Sequence, residues 1–120
     1  MLITIPFKTP TINHLNGYSR FGGYMKKEYK LLREEIIEML KPMKGKINKE
    51  CLLKVTINIF EDWYYKNGKV KKADVANREK FLTDSVFLGL DLDDKQIWSI
   101  SLHKVQDTNL EMAEFILEVV

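Results

Sequence analysis

The sequence predicts a single mixed α/β domain in which helices cover a sheet, with the element order β-α-β-α-β-β. Two kinds of apolar periodicity carry this prediction. Alternation at every second residue marks three of the four strands, and recurrence at every third or fourth residue marks both helices. A chain of 120 residues has the size of one domain and buries roughly two-thirds of the surface that its unfolded form exposes. We therefore expect one domain over residues 1–120.

The N-terminal half is predicted to contain a short strand, a long loop, a helix and a second strand. Residues 2–6 form the short strand, and residues 7–25 form a loop whose length without periodicity is typical of a functional segment. Apolar residues recur at helical spacing from residue 26 to about residue 40, and Pro42 ends that helix. Residues 52–60 then alternate between apolar and polar, which predicts a half-buried strand.

The C-terminal half is predicted to contain a helix followed by two strands. Asp74 stands at the N-cap position of the helix, and Val75, Leu82 and Val86 line its core side. Residues 97–105 and 113–119 alternate as strands. The composition of residues 110–120 also suits a helix, so the period-2 pattern alone favours a strand there. The large side chains that we expect in the core are Phe81, Phe87 and Trp98.

Composition limits the class of protein. The chain is 45% hydrophobic and 30% charged, which is a globular composition, and no apolar run approaches the roughly 20 residues that span a bilayer. The N-terminus has neither a basic leader nor a small-residue cleavage site, and the one cysteine, Cys51, has no disulfide partner within the chain. We expect a soluble, cytoplasmic protein without a membrane partner.

Charge is distributed unevenly along the chain. Residues 1–80 carry 17 Lys and Arg against 9 Asp and Glu, whereas residues 81–120 carry 2 against 8. Lys69, Lys71 and Lys72 crowd a short loop together with Lys66, beside three aromatic residues at 63–65. Such a run is most often a solvated surface loop. Its position directly before Asp74 favours a second interpretation, in which the lysines contact DNA phosphates and the aromatic residues stack on bases.

The predicted second helix carries polar residues at a spacing that suits phosphodiester chemistry. Asp74, Asn77, Lys80 and Asp84 fall on one side of this helix, opposite the apolar side. Carboxylates are ligands for Mg²⁺ or Mn²⁺, and a lysine can neutralise charge that develops on a phosphate. Each residue also has a structural alternative, since Asp74 suits an N-cap and Lys80 and Asp84 suit an i,i+4 surface pair.

Three motifs in order resemble the RusA family of Holliday-junction resolvases over nearly the whole length of the chain. The family begins with a proline-rich turn followed by Asn and aromatic residues, and residues 10–14, Tyr18 and Tyr24 match this motif. The family continues with a lysine-containing helix start, which residues 26–29 match. Its central motif, Asp-x-Asp-Asn-x-x-Lys-x-x-x-Asp, is matched by Asp74, Asn77, Lys80 and Asp84. Its third element, Asp-Asp-x-Gln followed by an apolar residue, stands here at residues 93–97.

The resemblance implies a set of roles and one departure. Asp74, Lys80 and Asp94 would be the catalytic residues, with Asp74 and Asp94 as metal ligands and Asp93 as an alternative ligand. Ala76 stands where the family has its second aspartate, so one expected ligand is missing and Mg²⁺ should bind more weakly. The residues of the family-like N-terminal loop that would face DNA are Asn13, Tyr18 and Arg20.

The function that these observations predict is metal-dependent cleavage of four-way DNA junctions in recombination and repair. The cofactor would be Mg²⁺ or Mn²⁺, and the resemblance implies a homodimer, since resolution needs paired nicks in opposing strands. Two alternatives stay open. The first is a non-catalytic relative that binds junctions after Ala76 has ended cleavage, and the second is a metal-independent protein-interaction domain that uses the charge asymmetry.

Overall fold

In the described part of the chain, two helices pack on one face of a four-stranded mixed sheet, and a second sheet has two strands. The computed structural model describes residues 1–11, 16–19 and 22–120. The strands are β1 (Leu2–Ile5), β2 (Asn16–Ser19), β3 (Gly22–Met25), β4 (Leu53–Glu61), β5 (Ile97–Gln106) and β6 (Met112–Val119). The helices are α1 (Lys27–Leu40) and α2 (Ala76–Leu90), with one-turn 3-10 helices at Lys41–Met43 and Asp94–Gln96. The predicted order β-α-β-α-β-β is confirmed for the main sheet and its helices.

The main sheet has the strand order β1-β6-β4-β5. β4 is its centre, since it pairs antiparallel with β6 on one side and parallel with β5 on the other. Two parallel strands need a crossover connection. α2 follows β4 and precedes β5 in the sequence, and it supplies this connection by running back along the sheet. The C-terminal segment is a strand, because β6 pairs with both β1 and β4 and a helix could not make those ladders.

The apolar alternation of the strands is what places the core. Leu53, Val55, Ile57 and Ile59 of β4 are all buried and face the helices, while Lys54 between them is exposed. α1 contributes buried Ile36 and Leu40 to the same cluster, and the predicted core residues Phe81 and Phe87 of α2 are buried in it. At Gly89, an added Cβ would stand 3.3 Å from the Cα of Ile37. This glycine therefore lets α2 approach α1 closely.

Three expectations need correction. The predicted loop over residues 7–25 contains an antiparallel hairpin, in which β2 pairs with β3. Asp74 is not the N-cap residue of α2, since Val75 takes that position. Trp98 is not in the core: it is 69% exposed, because β5 is at the edge of the sheet and the β4–β5 register shifts there, which leaves Trp98 without a partner residue in β4. No helix in the described part of the chain has the length and apolar character needed to cross a membrane.

Candidate functional site

Asp74 lies one residue before the N-cap residue of α2 and accepts hydrogen bonds from backbone N–H groups at the start of this helix. Its Oδ1 accepts a hydrogen bond of 2.9 Å from the Ala76 backbone N–H, and its carbonyl oxygen accepts one of 3.1 Å from the Asn77 N–H. Free N–H groups at a helix start carry partial positive charge, which an aspartate stabilises. Asp74 is nevertheless exposed. The residue therefore has a structural role that leaves its carboxylate accessible to solvent.

Lys80 and Asp84 lie on the exposed side of α2 and form the expected i,i+4 pair. The Lys80 Nζ is 3.3 Å from the Asp84 Oδ2, and the two side chains are 59% and 31% exposed. An exposed pair of this kind contributes only about 0.3–0.5 kcal/mol. A phosphate group can therefore displace Asp84 from Lys80 at little cost, so the pair is compatible with the predicted catalytic role of the lysine.

The C-terminal half of α2 carries an acidic cleft. Asp84 and Asp94 line an open cleft of about 310 Å³ together with Arg33 and the apolar residues Phe87, Leu88 and Leu92. Burial raises the pKa of Glu79, one turn into the helix, and the negative charges of Asp84 and Asp94 raise it further. Asp84 and Asp94 therefore lie close enough to Glu79 for their negative charges to act on its carboxyl group.

Glu79 was missed by the reasoning from sequence. It is the residue directly before Lys80, at a position that the predicted motif leaves unspecified, so its spacing gave no signal. A carboxyl group whose ionised form is disfavoured by burial and by like charges is a common feature of functional sites, although ion networks with a structural role show it too. Glu79 therefore joins the candidate residues.

Asp93 holds the short 3-10 turn that precedes β5. Its Oδ1 accepts a hydrogen bond from the Lys95 N–H, and its own N–H donates to the Gln96 Oε1, so the two side chains form a capping box. Buried Gln96 also donates through Nε2 to the carbonyl oxygens of Asn48 and Cys51. These bonds fix the turn that presents Asp94. They make Asp93 a positioning residue, and its predicted role as a metal ligand stays a prediction.

The described residues of one chain do not fit a complete metal site. Within them, no three side chains of His, Cys, Asp or Glu are grouped so that they could hold an ion. Asp74 precedes α2 and Asp94 follows it, and a helix of 15 residues rises about 22 Å. Ala76, at the first position of α2, adds no oxygen ligand. The assignment of Mg²⁺ to Asp74 and Asp94 remains a prediction.

The lysine loop, residues 62–75, is a tight hairpin that begins where β4 ends. Tyr64 bridges Val70, and the Tyr65 N–H donates to the Lys69 carbonyl oxygen at 2.8 Å. Gly68 sits at the turn with φ of 84°, a left-handed conformation that glycine adopts without strain. The loop thus has a defined shape, and its exposed side chains include Tyr64, Tyr65, Lys66, Lys69 and Lys72.

Lys71 differs from the other lysines of this loop. It is half-buried, and its Nζ lies 5.9 Å from the centre of the Tyr65 ring. It also lines a cleft with Asp62 and Glu61. The pKa of Asp62 is lowered chiefly by the hydrogen bond from Gln106, and the charge of Lys71 contributes to the same shift. Lys71 is thus less accessible to solvent than Lys69 and Lys72. Lys69 and Lys72 are better placed than Lys71 to meet a phosphate.

A buried ion pair between Arg78 and Glu61 joins α2 to the end of β4. The Arg78 guanidinium donates from Nη1 to Glu61 Oε1 at 2.5 Å and from Nη2 to Oε2 at 3.3 Å, and each side chain is only 5% exposed. Arg78 also donates to the carbonyl oxygen of Thr9 at 2.9 Å and lies 5.3 Å from the ring centre of Trp63. One side chain therefore ties the N-terminal segment, β4 and the start of α2 together.

The sequence shows that Arg78 and Glu61 both stand at apolar positions of their elements, but this pattern was not used to predict a buried ion pair. Arg78 stands between Val75 and Leu82 on the apolar side of the helix, where a charged residue needs a buried partner. Glu61 likewise ends the apolar alternation of β4. Spacing along the chain gives no means of pairing them, because the lysine loop separates the two residues.

The predicted DNA-facing residues of the N-terminal loop fall largely outside the described part of the chain. Asn13 and Arg20 lie outside the described residues, and so does the side chain of Tyr18, whose backbone belongs to β2. Thr9, which Arg78 holds in place, lies shortly before this segment. The prediction that Asn13, Tyr18 and Arg20 contact DNA therefore stays a prediction.

These features define a small α/β protein that presents an ordered basic loop beside a helix with exposed and half-buried carboxylates, an arrangement suited to a phosphodiester substrate. The family model for endodeoxyribonuclease RusA matches residues 7–114 of the chain. The protein belongs to this family of Holliday-junction endonucleases, and the resemblance to the family that the sequence showed is confirmed. No curated protein matches the chain significantly.

Proposed function

We propose that this protein binds four-way DNA junctions and cleaves them as a homodimer in DNA recombination and repair, with Mg²⁺ or Mn²⁺ as the cofactor and with cleavage weakened by Ala76. The observation that carries the proposal is the match to the endodeoxyribonuclease family over residues 7–114. The exposed Lys69 and Lys72 support it, because they extend from an ordered loop directly before Asp74.

The chain's own residues have separable roles in this proposal. Lys69 and Lys72 neutralise backbone phosphates and orient the DNA without reading its sequence. Lys80 moves from its weak pair with Asp84 to a phosphate oxygen, where its charge stabilises the charge that develops during cleavage. Arg78 and Glu61 hold the start of α2 against β4, so that Asp74 and Lys80 keep their positions.

A second candidate function is junction binding without cleavage, and Ala76 is the specific observation that favours it. The methyl side chain is exposed at the start of α2 and offers no ligand oxygen. Ala76 lies outside the lysine loop, so the lysines would still bind the junction. The two candidates share the same DNA and differ only in catalysis.

The deciding experiment compares the chain with its Ala76→Asp variant on a synthetic four-way junction, in Mg²⁺, in Mn²⁺ and in a chelator. We expect both proteins to bind the junction and the variant to cleave about 10²–10³ times faster, which is the effect of one transition-state contact in other enzymes. Ala76→Asn is the matched control, since it adds the same shape without a charge and should not raise the rate. Asp74→Asn in the Ala76→Asp protein should remove the gain and spare binding.

Each outcome separates the candidates. Cleavage by the unaltered chain at the rate of the variant would show that position 76 is not at a ligand site. Binding without cleavage by either protein favours the non-catalytic relative. Failure of both proteins to prefer the junction over a duplex of the same length would contradict the proposed function and leave the interaction-domain alternative.

A further inference from the structure

An open polar cavity, which we call the Thr9 cavity, lies between the N-terminal segment, α1 and the start of α2. Its volume is about 390 Å³, and the described residues that line it are Lys8, Thr9, Pro10, Thr11, Tyr29 and Arg78. A cavity of this size is at the lower end of the range for small-ligand pockets, and it is far larger than the roughly 30 Å³ that one water occupies. The Thr9 cavity therefore has room for a ligand.

Two buried side chains that line this cavity carry polar atoms without a hydrogen-bond partner in the described part of the chain. Arg78 is 4% exposed and its Nε is unpartnered, and Thr9 is 1% exposed and its Oγ1 is unpartnered. The Oγ1 of Thr11 is buried without a partner as well. Buried polar groups are nearly always paired in proteins, because an unpaired one costs stability. Three such atoms in residues that line one cavity indicate that a ligand supplies the missing partners.

The Arg78 guanidinium is held in a way that leaves one of its edges for a ligand. Its Nη1 donates to Glu61 Oε1 and to the carbonyl oxygen of Thr9, and its Nη2 donates to Glu61 Oε2. These bonds use the end of the guanidinium. The Nε–H and the second N–H of Nη2 lie along its side, and two parallel donors of this kind match two oxygen atoms of one anionic group. The ion pair with Glu61 thus orients Arg78 without occupying this side edge.

The charges around the Thr9 cavity select an acceptor of hydrogen bonds. Lys8 and Arg78 are the charged residues among the described residues that line it, and no carboxylate is among them. A neighbouring cleft, which Lys8 also lines, is different because it carries four carboxylates, those of Glu61, Asp62, Asp107 and Glu111. An anion is therefore favoured in the Thr9 cavity and repelled from the neighbouring cleft.

Lys8 can supply the positive charge that Arg78 alone does not, since Glu61 already balances Arg78. The Lys8 Nζ is 3.6 Å from the Glu111 Oε2 and 4.0 Å from the Glu61 Oε2. The Lys8 and Glu111 side chains are 55% and 57% exposed, and an exposed ion pair is weak. Lys8 can therefore leave Glu111 for an anion in the Thr9 cavity at little cost.

We propose that the Thr9 cavity binds a phosphate group. The side edge of Arg78 and the hydroxyl groups of Thr9 and Thr11 donate to its oxygen atoms, and Lys8 balances its charge. A phosphate suits this set because it has more acceptor oxygens than a carboxylate and accepts from several directions at once. The phosphate is a phosphodiester of the DNA backbone or free inorganic phosphate. The DNA source rests on the proposed function, and it would hold a strand close to Lys80, two residues after Arg78 on α2.

The variant that tests the site is Thr9→Val, because replacing Arg78 would also break its ion pair with Glu61. Valine keeps the branched shape of Thr9 and the backbone carbonyl that Arg78 binds, and it removes only the unpartnered hydroxyl. The variant should therefore fold with an unchanged or higher Tm in sodium chloride. Thr56→Val is the matched control, since it makes the same change on β4 at a half-buried residue that does not line the cavity.

The first measurement is Tm in increasing inorganic phosphate, compared with sodium chloride of the same ionic strength. Phosphate should raise the Tm of the unaltered chain and of Thr56→Val in a saturable way, because it binds the folded state. In Thr9→Val the midpoint of this rise should move to phosphate concentrations about tenfold higher, as expected for one lost hydrogen bond to a charged group. An equal rise in all three proteins is the general stabilising effect of phosphate on protein surfaces, and it would overturn the proposal.

The second measurement is the affinity of the same three proteins for a four-way junction and for a duplex of the same length. If a DNA phosphate occupies the cavity, Thr9→Val should bind the junction about tenfold more weakly than Thr56→Val does. A weaker response to inorganic phosphate with unchanged junction affinity supports the site and identifies free phosphate as its occupant.

Failure of the site and failure of the proposed function give different results. A response to phosphate that depends on Thr9, in a protein that does not prefer the junction over the duplex, contradicts the proposed function and leaves the phosphate site standing. Junction preference with equal phosphate responses in Thr9→Val and the unaltered chain overturns the site and leaves the proposed function standing.

Discussion

Replacing Arg78 with methionine tests whether the buried ion pair fixes the start of α2. The methionine fills much of the same volume and removes the charge, so Glu61 keeps its carboxylate at 5% exposure without its bidentate partner. In the described part of the chain Glu61 forms one other ion pair, with Lys8, whose Nζ is 4.0 Å from the Glu61 Oε2 and whose side chain is 55% exposed. The carbonyl oxygen of Thr9 is also left without the Arg78 donor.

The expected cost follows from the geometry of the pair. Leaving one charge of a buried pair uncompensated costs about 3–5 kcal/mol in other proteins. Arg78→Met should therefore lower the free energy of unfolding by about that amount. Replacing both residues with methionine should cost less than the sum of the single changes, because a buried ion pair is often no more stabilising than apolar side chains of similar volume.

The assay is urea unfolding at pH 7 followed by far-UV circular dichroism for the chain, both single variants and the double variant. Fluorescence is unsuitable, because Arg78 lies against Trp63. Lys80→Met is a matched control on the same helix, since it breaks an exposed pair and should cost only about 0.3–0.5 kcal/mol. If Arg78→Met costs no more than Lys80→Met, or if the Arg78 and Glu61 changes are additive, the ion pair does not hold the elements together and the reasoning is refuted.

Two further predictions concern the acidic cleft and the lysine loop. A carboxyl group with a raised pKa binds more protons in the folded state than in the unfolded state, so its contribution to stability falls as pH rises. The Glu79 pKa is raised by burial and by neighbouring charges, so Glu79→Gln should raise Tm at pH 7. This gain in Tm should vanish as the pH falls below the ordinary glutamate pKa. A gain that is independent of pH would show that it does not come from the charge of Glu79. In the lysine loop, the double variant Lys69→Ala, Lys72→Ala should flatten the salt dependence of junction binding by about 0.9 in log–log slope for each duplex phosphate that the protein no longer neutralises. Lys71→Ala should change the slope less, because Lys71 is half-buried whereas Lys69 and Lys72 are exposed.

The secondary structure was largely determined by the sequence itself, because local periodicity reports which side of an element is buried. The alternation in β4 and β6 and the helical spacing in α1 were enough to predict these elements within one or two residues. The hairpin of β2 and β3 was missed, since its residues are glycine, serine and asparagine between aromatic residues and show no alternation. Motif order was likewise enough to predict the family.

Interactions between distant residues were decided only by the tertiary structure. Nothing in the chain pairs Arg78 with Glu61, because that bond depends on how α2 crosses β4. The raised pKa of Glu79 depends first on its burial in the folded chain and then on the nearby charges of Asp84 and Asp94. Trp98 follows the apolar alternation of a core residue and is exposed because β5 is an edge strand. Periodicity predicts that a side chain is apolar on one face, but only the arrangement of neighbouring elements determines whether anything covers that face.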